Sequence, residues 1–271
     1  MSEPLVDIGV NLTSKQFRED LPQVIERAIA ANVRYFIVTG LTASLSQAAL
    51  ELARSRPKHL CSTAGVHPHN ARTFDRHTQG ELRALARQPE VVAVGECGLD
   101  YDRDFSPRPQ QRSAFEAQLE LAIELGKPVF LHQRKAHEDF TGILTAARPK
   151  LAGGVVHCFT GDARELETYL ELGLHIGITG YICDERRGTH LRELVRRIPP
   201  DRLMVETDAP FLLPRDLTRA RGRRNEPAYL PHVAASVARY AERDEVELIR
   251  STTAAAFALF GLAKRFGLTE G

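Results

Sequence analysis

Eight short apolar runs punctuate the chain, at Leu5–Val10, Arg34–Thr39, Leu60–Gly65, Val91–Glu96, Pro128–His132, Gly154–His157, His175–Thr179 and Leu203–Thr207. Each is close to a continuous aliphatic stretch, which is how a parallel strand reads when helices cover both of its faces. Between the runs the apolar residues change to the helical period. Leu21, Val24, Ile25, Ala28 and Ile29 keep the i, i+3, i+4, i+7, i+8 spacing of an amphipathic helix. Phe115, Leu119, Ala122 and Ile123 do so ahead of the stop signal Gly126-Lys127-Pro128, and Leu191, Leu194, Val195 and Ile198 ahead of Pro199-Pro200. The runs recur every roughly 20–37 residues, the length of one strand–helix unit. No Gly/Ser-rich or low-complexity segment breaks the alternation, so one domain over residues 1–271 is expected. Eight such units predict an α/β fold, a (β/α)8 TIM barrel, with its functional groups at the C-terminal ends of the strands. An open doubly wound sheet is the rival. Its first turn usually carries GxGxxG, whereas here the first strand ends Asp7-Ile8-Gly9-Val10-Asn11.

Four of the runs end on a metal-ligand side chain: Glu96, His132, His157 and Asp208. A polar group closing a buried run is desolvated at a cost unless something binds it. In a barrel the ends of strands four, five, six and eight converge on one mouth, so the four predict a shared cation site. Two imidazoles with two carboxylates suit a divalent ion; Mg²⁺ is the first expectation, with Mn²⁺ and Zn²⁺ as alternatives. Glu96 could bridge two ions about 3.5–4 Å apart, the usual arrangement for phosphodiester hydrolysis. Asp208 could bind metal, orient the attacking water and take its proton, a role for an ionised carboxylate within hydrogen-bond reach. The alternative is a pair of satisfied core histidines and an aspartate that caps the next helix.

Other polar groups fall at neighbouring strand ends. His67 and His69, in Gly65-Val66-His67-Pro68-His69, follow strand three, where an imidazole could meet a phosphate or a metal-bound water. Arg134 could pair a phosphate oxygen through its planar fork, or a barrel carboxylate. The loop after strand eight carries Arg215, Arg219, Arg221, Arg223 and Arg224 against one acid, Asp216. In a barrel this loop rims the mouth and could gather a polyanion, with Arg186 and Arg187 adding to the same rim. Arg223 and Arg224 are the expected substrate contacts there.

Composition sharpens this only locally. A net charge of +1 offers no global attraction to nucleic acid or membrane. No apolar stretch approaches the ~18–20 residues that span a bilayer. Met1-Ser2-Glu3-Pro4-Leu5 has neither a basic nor a long apolar segment, so a cytoplasmic location is expected. Cys61, Cys97, Cys158 and Cys183 lack CxxC spacing, which argues against a zinc ribbon or a thioredoxin-like motif. Cys97 and Cys158 each follow a proposed ligand, so strand alternation should turn both into the core.

Several longer motifs carry a resemblance. Asp7-Ile8-Gly9-Val10-Asn11-Leu12-Thr13, Gly65-Val66-His67-Pro68-His69, Gly95-Glu96-Cys97-Gly98-Leu99-Asp100, His157-Cys158-Phe159-Thr160-Gly161, Gly177-Ile178-Thr179-Gly180, Cys183-Asp184-Glu185-Arg186-Arg187-Gly188, Glu206-Thr207-Asp208-Ala209-Pro210 and Arg223-Arg224-Asn225-Glu226-Pro227 resemble the TatD family of metal-dependent deoxyribonucleases, in order and over almost the whole chain. The resemblance implies a TIM-barrel metallohydrolase that digests DNA as a 3′–5′ exonuclease on single strands. It implies that Glu96, His132 and His157 bind divalent metal and that Asp208 completes the site. A monomer without membrane association is expected. Two departures stand out. Most of the wider family carries His-x-His on strand one, where this chain has Gly9-Val10-Asn11, so one metal position has fewer protein ligands. The family's His-Cys-Arg-Asp after strand five is here His132-Gln133-Arg134-Lys135, which keeps ligand and arginine but is more positive. A barrel hydrolase acting on amides, esters or aminoacyl-tRNA would use the same groups, since fold does not fix substrate. A nucleic-acid-binding barrel without catalysis is a third reading. The arginine loop favours a polyanion.

Overall fold

The computed structural model describes residues 3–218, 220 and 222–268. Eight strands form: β1 (Leu5–Val10), β2 (Val33–Val38), β3 (Leu60–Ala64), β4 (Val91–Asp100), β5 (Val129–Arg134), β6 (Gly154–Val156), β7 (His175–Ile178) and β8 (Leu203–Val205). They pair in chain order, each neighbour parallel. Helices α1 (Leu21–Ala30), α2 (Ala43–Ser55), α3 (Arg76–Ala86), α4 (Arg108–Leu125), α5 (His137–Ala147), α6 (Ala163–Glu171), α7 (Thr189–Leu194), α8 (Leu230–Ala241), α9 (Glu245–Phe260) and α10 (Leu262–Phe266) follow or lie between them. This is the (β/α)8 barrel that the alternation predicts. No helix among the described residues is long and apolar enough to cross a membrane.

Local chemistry sets the element ends. α1 buries Val24, Ile25 and Ala28, the stripe read from its spacing. α4 stops at Gly126, whose left-handed φ of 62° costs glycine nothing, just before Pro128. α6 begins with a reciprocal cap between Asp162 and Glu165. Inside the ring, Ile37, Cys61, Ala93, Phe130, Val155 and Met204 form one apolar cluster; strands on all sides of a barrel can share contacts only in its interior. Phe130, Val155 and Met204 each sit two residues before a polar group: His132, His157 and Glu206. Alternate residues share a face, so those three side chains continue the interior column upward into the mouth.

β1 and β8 close the ring without a regular ladder. The Asp208 N–H donates to Gly9 O at 2.9 Å and the Asn11 N–H to Ala209 O at 2.8 Å. Below them the buried Asp7 carboxylate accepts from the Thr207 N–H at 2.9 Å and the Thr207 hydroxyl at 2.5 Å.

β4 corrects the sequence reading. The run does not stop at Glu96 but continues to Asp100, through a register irregularity between Gly95 and Cys97. Gly95 and Gly98 both have φ of 142°, a region L side chains rarely adopt, and a Cβ on Gly98 would overlap His132 O. These glycines are what let the bulged strand continue against β5.

Candidate active site

Glu96 Oε1 is the hub of the mouth. His157 Nε2 lies 2.8 Å from it, His132 Nδ1 2.9 Å and His67 Nε2 3.2 Å. β4, β5 and the segments after β3 and β6 thus bring four side chains onto one point. Neighbouring ligands around an ion with bonds of about 2.1 Å stand about 3 Å apart, so this nitrogen and oxygen set fits a divalent cation.

The outer ring nitrogens separate the three histidines. His157 Nδ1 faces Glu206 Oε2 at 3.4 Å, and His132 Nε2 faces Asp100 Oδ2 at 3.2 Å. Each ring has its outer nitrogen held by a carboxylate, the arrangement that orients metal-binding imidazoles; a neutral ring held this way would turn its inner lone pair to the centre. His67 differs: its Nδ1 accepts the His69 N–H at 3.1 Å, so the neutral ring carries its proton on Nε2, facing Glu96. By distance His67, Glu96 and His132 offer ligand atoms within 4.8 Å of one another, but its partners make His67 a donor. Burial pushes His67 down to about 4 and keeps it neutral. Burial also opposes charge on His157, yet Glu96 and Glu206 outweigh it and hold that ring well above its ordinary range.

Asp208 stands on the facing wall, its Oδ1 accepting from the Asn11 amide at 2.8 Å. Burial pushes its carboxyl up to about 7, against the pull of His157. The strand-one departure acquires a physical meaning here. A Cβ on Gly9 would overlap Glu206 Oε2, so the space of a side chain at that position belongs to the Glu206 carboxylate. Asn11, at the second position, holds Asp208. Asn11, His67, Glu96, His132, His157 and Asp208 line a cavity of about 340 Å³ together with His69, Gln133, Arg134, Cys158, Tyr181 and Phe211.

The sequence reading missed Asp100 and Glu206, both almost fully buried. Each carried a signal: Asp100 lies an even number of residues beyond Glu96, and Glu206 lies two before Asp208, a carboxylate inside an apolar run. Cys97 is a core thiol as expected, but Cys158 is not. Its φ of 45° breaks the alternation, and it lines the cavity with Sγ 3.7 Å from Thr179 Oγ1. Arg134 lines the cavity and also pairs Asp102 at 3.3 Å.

The arginine rim divides. Arg223 is exposed and makes no ion pair among the described residues, while Arg219 and Arg221 lie outside them. Arg224 is not an open phosphate contact as read. Its guanidinium is shared between Asp20, at 2.7 and 2.8 Å, and Glu226 at 2.8 Å, over the Phe17 ring. Arg186, Arg187 and Arg215 all turn to the buried Asp184, at 3.8, 2.9 and 3.2 Å.

Known proteins resemble this chain closely. The TatD related DNase family matches residues 6–261. A protein of Erwinia tasmaniensis named 3′-5′ ssDNA/RNA exonuclease TatD is 55% identical over 259 residues, 95% of this chain and 100% of that one. The solved structure of the Escherichia coli TatD homologue YJJV superposes with a TM-score of 0.87 at 29% identity, covering 95% of this chain and 98% of the other. A TatD family hydrolase from Entamoeba histolytica gives 0.86 at 26% identity over 96% and 99%. Similarity that spans strands, mouth and rim alike leaves one placement: the chain belongs to the TatD-related DNase family.

Proposed function

We propose that this protein is a divalent-metal-dependent nuclease that hydrolyses nucleic-acid phosphodiester bonds, removing nucleotides from the 3′ end of single-stranded DNA or RNA. The observation that carries it is the pair His132 and His157, each backed by a carboxylate and each with its inner nitrogen beside Glu96. The 55% identical relative named as a 3′-5′ ssDNA/RNA exonuclease supports the substrate class and polarity. In this reading Glu96, His132, His157 and Asp208 hold the ion. Held by these four, a divalent cation would supply Lewis-acid polarisation of the phosphoryl oxygen and a water of lowered pKa. The chain's own residues do the rest. Asp208, oriented by Asn11, accepts the proton of the attacking water, and a carboxyl raised by burial is suited to that task near neutral pH. His67 donates its Nε2–H to a phosphate oxygen as negative charge grows there. Arg134 and Arg223 meet flanking phosphates, and Arg224 braces the loop that carries Arg223. Mg²⁺ is the proposed working ion; the imidazoles suit Mn²⁺ and Zn²⁺ as competitors.

End-labelled single-stranded DNA and RNA, digested in parallel with Mg²⁺, Mn²⁺, Zn²⁺ and EDTA, test the reading. Stepwise shortening from the 3′ end that needs metal is expected. Shortening that survives EDTA, or none with any ion, sinks it.

A further inference from the structure

Among the described residues four large hydrophobic side chains are exposed, and the two aromatic ones are Phe105 at 54% and Phe211 at 51%. Single exposed hydrophobics are ordinary; the placement of these two is not. Phe105 lies in the loop after β4 and Phe211 in the segment after β8. In a ring of eight strands those positions are four strands apart, so the rings stand on opposite sides of the mouth. Both are anchored to residues of the site. Phe105 packs edge-on to His69 at 4.7 Å, and His69 Nε2 is tied to Asp100 Oδ2 at 2.7 Å. Phe211 lines the cavity; its N–H donates to Asp208 O at 3.0 Å, and its carbonyl accepts from the Asn225 amide at 2.6 Å. Two phenyl rings left in water beside a polar, cation-fitting centre, one packed on His69 and the other carried by a main chain bonded at both its N–H and its carbonyl, suit an apolar, planar occupant that arrives with an anionic group.

We infer that Phe105 and Phe211 form a base-stacking clamp, in which unpaired nucleobases on either side of the scissile phosphate lie on the two rings. The inference rests on the nuclease reading and supplies what phosphate contacts cannot, a reason for single strands. Every base has a π-face, so stacking tolerates any sequence, but a duplex buries those faces against neighbouring pairs. Arg134 and Arg223 hold backbone charge whether strands are paired or not. The aromatic pair selects the unpaired form.

Steady-state kinetics on three substrates test the clamp: an ordinary single-stranded oligonucleotide, the same strand with abasic sites at its two 3′-terminal positions, and the blunt duplex. Phe105→Ala and Phe211→Ala should each raise KM on the ordinary strand about 5- to 150-fold, equivalent to 1–3 kcal/mol per stacked base, with a smaller change in kcat. The unsubstituted protein should show on the abasic strand the combined loss of the two substitutions, and the substitutions should then cost little more. Phe→Trp should preserve KM where Phe→Leu does not, and the preference for single strand over duplex should shrink in the alanine variants. Equal losses on ordinary and abasic strands, full rescue by Leu, or an unchanged strand preference would overturn the clamp while leaving the nuclease reading intact. Failure of the unsubstituted protein to digest any of the three would overturn both. Because both side chains are exposed, unchanged melting temperatures verify that the variants are folded.

Discussion

His67 and His132 stand with ring centroids 4.4 Å apart, yet their outer nitrogens are partnered oppositely: His67 Nδ1 accepts a backbone N–H, whereas His132 Nε2 faces the Asp100 carboxylate. The two rings should therefore fail differently when removed. His132→Ala and His157→Ala should lose bound metal, measured by calorimetry or metal analysis after dialysis, and nearly all hydrolysis. His67→Ala should keep the metal and lose turnover, with His67→Gln recovering part of it because the amide still donates. Metal loss in all three would make His67 a ligand instead. Asp208→Asn should bind nucleic acid almost normally and turn over roughly 10²–10⁴-fold more slowly, the contribution of a positioned base. Glu206→Gln removes the carboxylate behind His157 and should cost about 10–100-fold in metal affinity or activity. Wild-type values there would show that His157 needs no such partner.

At the scale of elements, the seam between β1 and β8 couples stability to pH. Asp7 is fully buried, and burial pushes its carboxyl from 3.8 up to about 8 against the bonds from Thr207. The folded chain then holds a proton that the unfolded chain releases across that interval. Its stabilising share is full below pH 3.8 and falls as pH rises toward about 8. Asp7→Asn can still accept from the Thr207 N–H and donate to its hydroxyl, without titrating. Melting curves from pH 5 to 8 should decline less steeply for the variant and cross those of the parent; parallel curves would remove Asp7 as the cause. Gly9, two residues on, is held to glycine by Glu206 and Phe130. Gly9→Ala should cost about 1–3 kcal/mol, as overpacking does, and displace Glu206 from His157. An unchanged melting temperature would show that the seam can open to admit a methyl.

For the whole molecule, the rim is a mixture of braces and open charge. Arg224 beside Asp20 holds that carboxyl down at about 2, so the loop after β8 is riveted to the segment before α1. Arg224→Gln should lower the melting temperature. Arg223→Gln should leave it unchanged and flatten the salt dependence of single-strand binding by about 0.7 in log–log slope, the value of one phosphate contact. The reverse pattern would exchange their roles. Near-zero net charge is no obstacle, because Asp184 and Asp20 neutralise arginines that keep the rim in shape, while Arg223 stays exposed and without an ion pair among the described residues.

How much of this was legible follows from which forces act locally. Apolar period and glycine or proline stops are properties of neighbouring residues, so eight strands, their intervening helices and the barrel followed from the sequence, as did the gathering of Glu96, His132, His157 and Asp208 around one mouth, although Glu96 and His132 lie inside β4 and β5 rather than at their ends. Where β4 ends was not legible, because its last four residues are held by β5 through glycine backbone that reads as a turn. Cys158 escaped for a related reason: one left-handed residue reverses the face that alternation assigns. The proton on His67 depends on the His69 backbone, the emptiness of Gly9 on a carboxylate from β8, and the fate of Arg224 on Asp20, which lies 204 residues away in the chain. Which kinds of side chain stand near the mouth is written in single residues. Which nitrogen carries a proton, which arginine is spent on structure and which ring is left in water are set by partners that only the closed barrel brings together.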